Sequence, residues 1–300
     1  MATAGLARHA GEEIYARVRR DTARTLSHLA HDWSLSLAVA LLGLLVLLAV
    51  FGPLIWKTAT TVNIGNSLAA PSLAHPMGTD SVGRDVFARF NEGARISLSV
   101  GAIVVIVGAL VGGTVGIVSG ATGGWLDTVL MRIMDAILAF PPLILAMAVS
   151  VGLGAGLTSA TLGITLTSLP YYARLLRSEV LRIRSLPFIE AAHALGARRL
   201  RILLRHIVPH VASTLLIQAA ALFGYAILTL AALGFVGLGA QDPTPEWGTM
   251  ITDGLQYFLT GQWWIGVFPG LGLLVVVTAT NILADRARDI LDPRGQYAYV

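Results

Sequence analysis

The fold is decided by residues 136–173, which read AILAFPPLILAMAVSVGLGAGLTSATLGITLTSLPYYA and contain no charged side chain. One crossing of a bilayer needs about 20 apolar residues, so this stretch is long enough for two helices. Glycines at 152, 154 and 156 mark the turn between them. Pro141 and Pro142 are predicted to kink or break the first of the two helices early. The sequence therefore predicts a chain that crosses a membrane repeatedly.

The overall composition agrees with this prediction. The 300 residues are 55% hydrophobic and only 13% charged, with a mean hydropathy of +0.72. Soluble domains carry about 25% charged residues, so a soluble core is excluded as the main architecture. The chain contains no cysteine, which excludes disulfides, thiolate nucleophiles and cysteine metal sites.

Six spans are predicted, within an all-α polytopic membrane domain at residues 34–285. A polar segment, residues 1–33, precedes this domain and fits either a surface-lying amphipathic helix or a solvated tail. A short tail at 286–300 follows it. The predicted spans cover about residues 34–55, 96–118, 133–152, 157–176, 211–233 and 263–283.

Basic residues predict the orientation of these spans. Six crossings place both termini on one side, together with the 121–133 turn and the 174–210 segment. That side holds seventeen basic residues, and the 57–95 loop opposite holds four. Arginine and lysine concentrate in cytoplasmic loops, so both termini are predicted to be cytoplasmic and the chain to lie in the inner membrane. Because the arginines are divided among loops, nucleic-acid binding is not predicted.

A stripe of glycines in the second span predicts close helix packing. The glycines are spaced four apart and share one helical face, which lets another helix approach closely. They are Gly108, Gly112, Gly116 and Gly120.

The segment between the fourth and fifth spans, residues 186–209, is predicted to form two short helices. Pro187 suits a first helical turn, Glu190 lies near its positive end, and Gly196 can end the helix. A second short helix follows, with a shared apolar face, and Pro209 marks the boundary before the next span. A basic amphipathic loop resting on anionic lipid is the alternative interpretation. The predicted face consists of Leu200, Leu203, Leu204 and Ile207.

This segment resembles the signature loop of ABC importer permeases. That signature has E-A-A, three residues, G, nine residues, then I, any residue, and L or V before P. The order and the position after a fourth span match, and the spacing matches except at Ile207, which lies one residue beyond the I position that His206 occupies. The residues assigned to the signature are Glu190, Ala191, Ala192, Gly196, Ile207 and Pro209.

A second stretch, HPMGTDSVGRDVFARF at residues 75–90, is similar to a signature of dipeptide and oligopeptide permeases. Its central residues are Gly78, Thr79, Asp80, Gly83, Arg84 and Asp85. Further similar pieces are GARISL at 93–98, GGWLD at 123–127, MRIMD at 131–135, Phe140-Pro141 and DILDPR at 289–294. The resemblance covers about residues 34–294 and favours the C-type member of the permease pair.

The resemblance implies a type I ABC importer permease fold and a set of partners. These are a homologous second permease, two ATP-binding cassette ATPases, an extracytoplasmic solute-binding protein and membrane lipid. ATP and Mg²⁺ would bind the ATPases, and residues 186–209 would receive their motion. The chain itself is expected to have no catalytic residue, metal or cofactor. Dipeptides, oligopeptides, nickel complexes and other small solutes are all substrates of this branch.

Three other functions are weighed against this one. A Walker A loop needs a lysine directly after a glycine. The only lysine in the sequence, Lys57, follows Trp56, so an ATPase within the chain is excluded. His206 and His210 lie four apart, but no HExxH arrangement accompanies them. A secondary transporter usually carries ionisable residues near the midplane, whereas Gln218 and Asn281 are the polar exceptions in these spans. The secondary transporter remains the alternative.

Overall fold

The computed structural model describes residues 33–291, and the predicted features of the N-terminal segment and of residues 292–300 lie outside it. Within these residues the chain is helical, without strands, which confirms the all-α prediction. A 3₁₀ turn covers Ile64–Asn66, and a π-helical turn covers Leu203–Ile207. The α-helices are α1 (Trp33–Ile55), α2 (Val86–Thr122), α3 (Gly124–Leu138), α4 (Pro142–Leu153), α5 (Leu157–Arg184), α6 (Pro187–Ala194), α7 (Arg199–Ile202), α8 (Val208–Phe235), α9 (Trp247–Phe258) and α10 (Trp264–Leu291).

Four helical stretches of the described chain are long and apolar enough to cross a membrane: α1, α2, α10 and the continuous run Arg199–Phe235. The pair α3 and α4 makes a fifth if it is one broken span, with a bend of 87°. Helix α5 has 28 residues but also many hydroxyl groups. The prediction of six spans thus depends on α5 crossing as well, and it stays a prediction.

The bend between α3 and α4 lies at the two prolines. α3 ends at Leu138, and α4 begins at Pro142 with its proline in the first turn. Proline has no N–H to donate and its ring clashes with the preceding turn, so a helix cannot run straight through this pair. The predicted break at Pro141 and Pro142 is confirmed.

Helix α5 packs along α2, with the four glycines of α2 between them. A Cβ on Gly112 would lie 2.6 Å from the carbonyl oxygen of Leu169, and one on Gly116 would collide with the carbonyl of Ala173. At Gly108 and Gly120 the neighbours are the side chains of Tyr172 and Val180, at 2.7 and 2.9 Å. The glycines at 112 and 116 therefore face the backbone of α5, and those at 108 and 120 face its side chains.

The polar side chains of α5 make hydrogen bonds within their own helix. Thr161 donates to the carbonyl of Leu157, Thr165 to that of Thr161, and Ser168 to that of Thr165. Such bonds satisfy hydroxyl groups without water. This explains how α5 takes an interior position although it is less apolar than its neighbours.

Helix α9 is the main difference from the predicted architecture, because it lies between the predicted spans 211–233 and 263–283, where no helix is predicted. The short helix packs against α8 and α10. Its first residue, Trp247, is fully buried and donates its indole N–H to the carbonyl of Phe90 on α2 at 3.1 Å. The outer end of the bundle thus has a core of its own, joining five helices.

Candidate coupling surface and outer loop

The coupling segment, residues 186–209, begins with α6. Pro187 occupies its first turn, and Ile189 is 1% exposed, packed against residues of α5. Glu190 and Ala191 face outward, and Ala192 is half-buried. One residue anchors this helix while its signature residues remain accessible.

Gly196 ends α6 in a Schellman motif. Its φ is +77°, the left-handed region that glycine adopts without cost. Its N–H donates to the carbonyl of His193 at 2.9 Å, and the N–H of Ala197 donates to that of Ala192 at 3.1 Å. The E-A-A-x-x-x-G spacing is therefore the length of one short helix with its C-cap.

The second half of the coupling segment runs without interruption into the membrane. The π turn Leu203–Ile207 connects α7 to α8, which begins at Val208 with Pro209 in its first turn. Pro209 was predicted as a boundary between a short helix and a span. The helix instead continues through this point, and the π turn just before Pro209 is the local irregularity that accompanies the proline.

The predicted apolar face of this half is right for Leu203 and Ile207, which pack into the buried cluster on α5, and wrong for Leu200 and Leu204, which are 65% and 60% exposed. Ile202, outside the predicted face, is buried. A π turn adds a residue to the helical repeat. Residues before and after it therefore lie on different faces from those that a regular spacing predicts.

An exposed surface results, which we call the coupling surface. It combines three leucines, at 195, 200 and 204, with four arginines, and Leu195 is 89% exposed. None of these arginines pairs with an acidic side chain among residues 33–291, and neither does Glu190. Exposed apolar groups ringed by unpaired charge are typical of a protein-docking site. The arginines are Arg198, Arg199, Arg201 and Arg205.

At the opposite end of the bundle, the signature residues of the outer loop (residues 57–85) bond to one another. Asp80 accepts hydrogen bonds from the backbone N–H groups of Val82 and Arg84, at 3.0 and 2.9 Å. Its second oxygen accepts from the Arg84 Nε at 2.6 Å. These three hydrogen bonds all come from within the loop, so this carboxylate holds the loop's conformation.

Thr79 and Gly78 fix the loop to α10. The Thr79 hydroxyl donates to the carbonyl of Asn66 at 2.5 Å and accepts from the N–H of Ala69 at 2.8 Å. Its carbonyl accepts the indole N–H of Trp264 at 3.1 Å. The same ring packs on Gly78, where a Cβ would lie 2.6 Å from the indole nitrogen.

Asp85 joins the loop to α2 by capping it. One oxygen accepts from the backbone N–H of Ala88, and the other lies 2.7 Å from His75 Nδ1. An N-cap carboxylate stabilises a helix by satisfying a free N–H near its positive end. Gly83, at φ +76°, makes the turn before this cap, against the backbone of Asn63.

A chain of charges connects the outer loop to α9. Arg84 bonds to Asp80 and, at 3.1 Å, to Asp242, which is 158 residues away. Arg89 is 3% exposed and lies 3.6 Å from Asp80 and 3.9 Å from Asp253 of α9. Local patterns in the sequence do not reveal pairs at such separations.

Glu246 was not singled out by the sequence, yet it organises the outer end. It is fully buried, and its carboxylate accepts from the N–H groups of Gly248 and Thr249, at 2.8 and 3.1 Å, as the N-cap of α9. Burial raises the pKa of Glu246 to about 7, although these hydrogen bonds act in the opposite direction. In the sequence, the signal that could have identified Glu246 is its position as an acidic residue directly before an apolar helix.

Comparison with known proteins identifies the family. Residues 112–296 match the model of the binding-protein-dependent transport system inner membrane component. The chain belongs to this family. The match includes the coupling segment and α9.

Curated relatives of this permease are similar over most of their length. The dipeptide transport system permease protein DppC of Alkalihalophilus pseudofirmus is 41% identical, covering 85% of this chain and 86% of the relative. The probable D,D-dipeptide transport system permease protein DdpC of Escherichia coli K12 is 40% identical over 84% and 85%. The glutathione transport system permease protein GsiD of Pectobacterium atrosepticum is 41% identical over 75% and 74%.

The permease also shares its fold with a solved transporter. A chain of the MetNI methionine ABC transporter, in an inward-facing conformation, has a TM-score of 0.54 and 22% identity. The match covers 66% of this chain and 94% of that chain. The type I ABC importer permease fold predicted from the sequence is confirmed.

Proposed function

We propose that this permease imports small peptides and that its coupling surface receives the work of ATP hydrolysis. The observation that carries the proposal is the arrangement at residues 186–209. Ile189, Ile202 and Ile207 anchor the segment to the bundle, and exposed leucines and unpaired arginines face away from it. A rigidly anchored surface of this kind can pass a displacement to the helices behind it.

The partners follow from the same proposal. Two ATPase subunits would bind ATP and Mg²⁺, and one of them would contact the coupling surface. A homologous second permease would complete the path through the membrane. The coupling segment and both termini would be cytoplasmic, as the distribution of arginine predicts. Peptides are proposed as substrates because the curated relatives are named for dipeptide, D,D-dipeptide and glutathione transport.

The outer loops are proposed to meet a solute-binding protein. Residues 57–95 and 234–262 lie at the end of the bundle opposite the coupling segment. Buried ion pairs hold the first in one conformation, and a shared apolar core holds both. A preformed surface binds a partner with a lower ordering cost. Crosslinking from Thr60 and Thr244 to the loaded binding protein tests this proposal, and yields at background level would remove it.

The coupling proposal is tested with the complete transporter in proteoliposomes. We expect Glu190→Arg and Gly196→Pro to insert normally but to lower ATP-dependent peptide uptake at least tenfold, with ATP hydrolysis continuing. The first change reverses the charge near the exposed start of α6, and the second forbids the φ of +77° at its C-cap. Uptake and hydrolysis are measured in the same vesicles.

Two matched variants serve as controls. Asp285→Arg makes the same charge reversal at an exposed residue of α10, outside the coupling segment, and should leave uptake unchanged. Gly196→Asn tolerates the left-handed region and should retain most of the activity. Uptake at the wild-type rate in both Glu190→Arg and Gly196→Pro would contradict the coupling role, and uptake of nickel but not peptides would replace the proposed substrate.

A further inference from the structure

Two open grooves meet along the outer end of α2. The first, of about 320 Å³, lies between the end of α1 and the 243–245 turn. The second, of about 430 Å³, lies between α2 and the start of α5, and we call it the flank groove. Glu92 and Ile96 line both, so the grooves form one track from the outer surface to the side of the bundle.

Two opposite charges stand where the grooves meet. Glu92 is half-buried and Arg95 is exposed, and both line the flank groove. A spacing of three residues on a helix permits an ion pair. The side chain of neither residue, however, makes an ion pair or hydrogen bond with any group between residues 33 and 291. The acid and the base are both available to a ligand.

The chemistry of the flank groove changes along its length. The exposed side chains of Ser99 and Thr158 line it beside the charges. Ile103 and Leu162 line it as well, and they are about half exposed. The groove thus offers one anionic group, one cationic group, two hydroxyl groups and an aliphatic wall. A short peptide has the complementary set: an ammonium group, a carboxylate, amide groups and side chains.

Lipid is a poor occupant of this groove. An unpaired acid and base on a lipid-facing surface are costly, and such residues usually face a water-filled path. The exposed face of α1 shows the contrast, because it carries aliphatic and aromatic side chains such as Leu44, Leu47 and Phe51. Two surfaces of the same bundle are therefore built for different surroundings.

We infer that the flank groove is a section of the solute path, where Glu92 binds the ammonium group and Arg95 the carboxylate of a transported peptide. The inference rests on the proposed function and specifies which residues of this chain contact the solute. Charge-assisted hydrogen bonds are about twice as strong as neutral ones, so two of them orient a small zwitterion.

The absence of cysteine from the chain makes a direct test of the groove possible. Ser99→Cys and Thr158→Cys are prepared singly in the complete transporter and treated from outside with a membrane-impermeant cationic thiosulfonate. We expect both to react, and reaction to slow at least threefold during turnover with alanyl-alanine and its binding protein. Leu47→Cys, on the apolar face of α1, should not react.

Two labelling results would overturn the inference. Reaction with a lipophilic maleimide alone would show that lipid covers the groove. Reaction in the isolated chain but not in the complete transporter would show that the second permease fills it. Neither result depends on which solute is transported.

Uptake measurements test the two charges. We expect Glu92→Gln and Arg95→Gln to lower the rate of alanyl-alanine uptake about tenfold, a factor equal to about 1.4 kcal/mol. ATP hydrolysis stimulated by the loaded binding protein should change less than twofold. Glu92→Asp and Arg95→Lys keep each charge and should retain at least half of the uptake rate.

The outcomes separate this inference from the proposed function. If the wild-type transporter imports no peptide with ATP, the proposed function fails, and the labelling alone decides whether the groove is a solute path. If the wild type imports peptide and both glutamine variants match it, the roles of Glu92 and Arg95 are overturned.

Discussion

The outer loop and the coupling segment carry the two signatures of this chain, and they are built on opposite principles. In the outer loop the signature side chains are buried and bond to one another, as Asp80 does to Arg84. In the coupling segment most of the signature residues are exposed, and Ile189 and Ile202, outside the signature, provide the anchor together with Ile207. The outer-loop signature specifies the conformation of a loop, and the coupling-segment signature specifies an exposed surface.

This difference shows how each motif tolerates change. Buried, bonded groups fail when one partner is removed, because the remaining group is left uncompensated. Exposed groups on a docking surface change stability little and affect only the partner. Stability measurements and coupling measurements should therefore respond to different halves of the molecule.

The largest expected effect is on the outer loop. Asp80→Ala leaves the guanidinium groups of Arg84 and Arg89 buried without their shared carboxylate, and we expect a loss of about 4 kcal/mol in the free energy of unfolding. Asp242→Ala is the matched control, because its side chain is 77% exposed and the loss should stay below about 1 kcal/mol. Denaturant unfolding in detergent measures both, and equal losses would contradict the buried network.

The next effect separates anchor from surface within the coupling segment. Ile189→Ala removes a fully buried side chain from the cluster on α5, and we expect a loss of about 3 kcal/mol with faster amide exchange in α6. Leu195→Ala should change the free energy of unfolding by less than about 0.5 kcal/mol and yet weaken binding of the ATPase. Wild-type ATPase affinity in Leu195→Ala would argue against the coupling surface.

A smaller effect tests the buried acid at the outer end. The folded pKa of Glu246, about 7, lies above its unfolded value, so the folded state binds the proton more tightly. The contribution of Glu246 to stability is therefore greatest at low pH and falls as the pH rises toward 7, by about 2 kcal/mol between pH 5.5 and 7.5. Thermal unfolding across this range measures the effect, and Glu246→Gln should flatten the curve. An equal slope in that variant would assign the pH dependence to another group.

Much of the fold follows from the sequence because membrane helices depend on local composition. Apolar runs located α1, α2, α8 and α10, and Pro141 with Pro142 located the break between α3 and α4. Proline and glycine also gave the limits of α6, since Pro187 and Gly196 act within their own turns. Each of these signals is complete within a few residues.

The missed features depend on distant partners or on an altered repeat. Arg84 and Asp242 meet only after folding, and Trp247 is defined by its contact with Phe90. Helix α9 was hidden because the proline-rich turn before it resembles an irregular loop. The face of α7 was predicted wrongly because a regular spacing does not foresee the π turn at Leu203–Ile207.

The uninterrupted run from Arg199 to Phe235 has a mechanical consequence. Its 37 residues make a single strut about 55 Å long, with the coupling surface at one end and the Glu246 cap beside the other. If this helix tilts as one rigid body, its two ends move in opposite directions. A displacement of the coupling surface would therefore be transmitted along one continuous helix to the other end of the bundle.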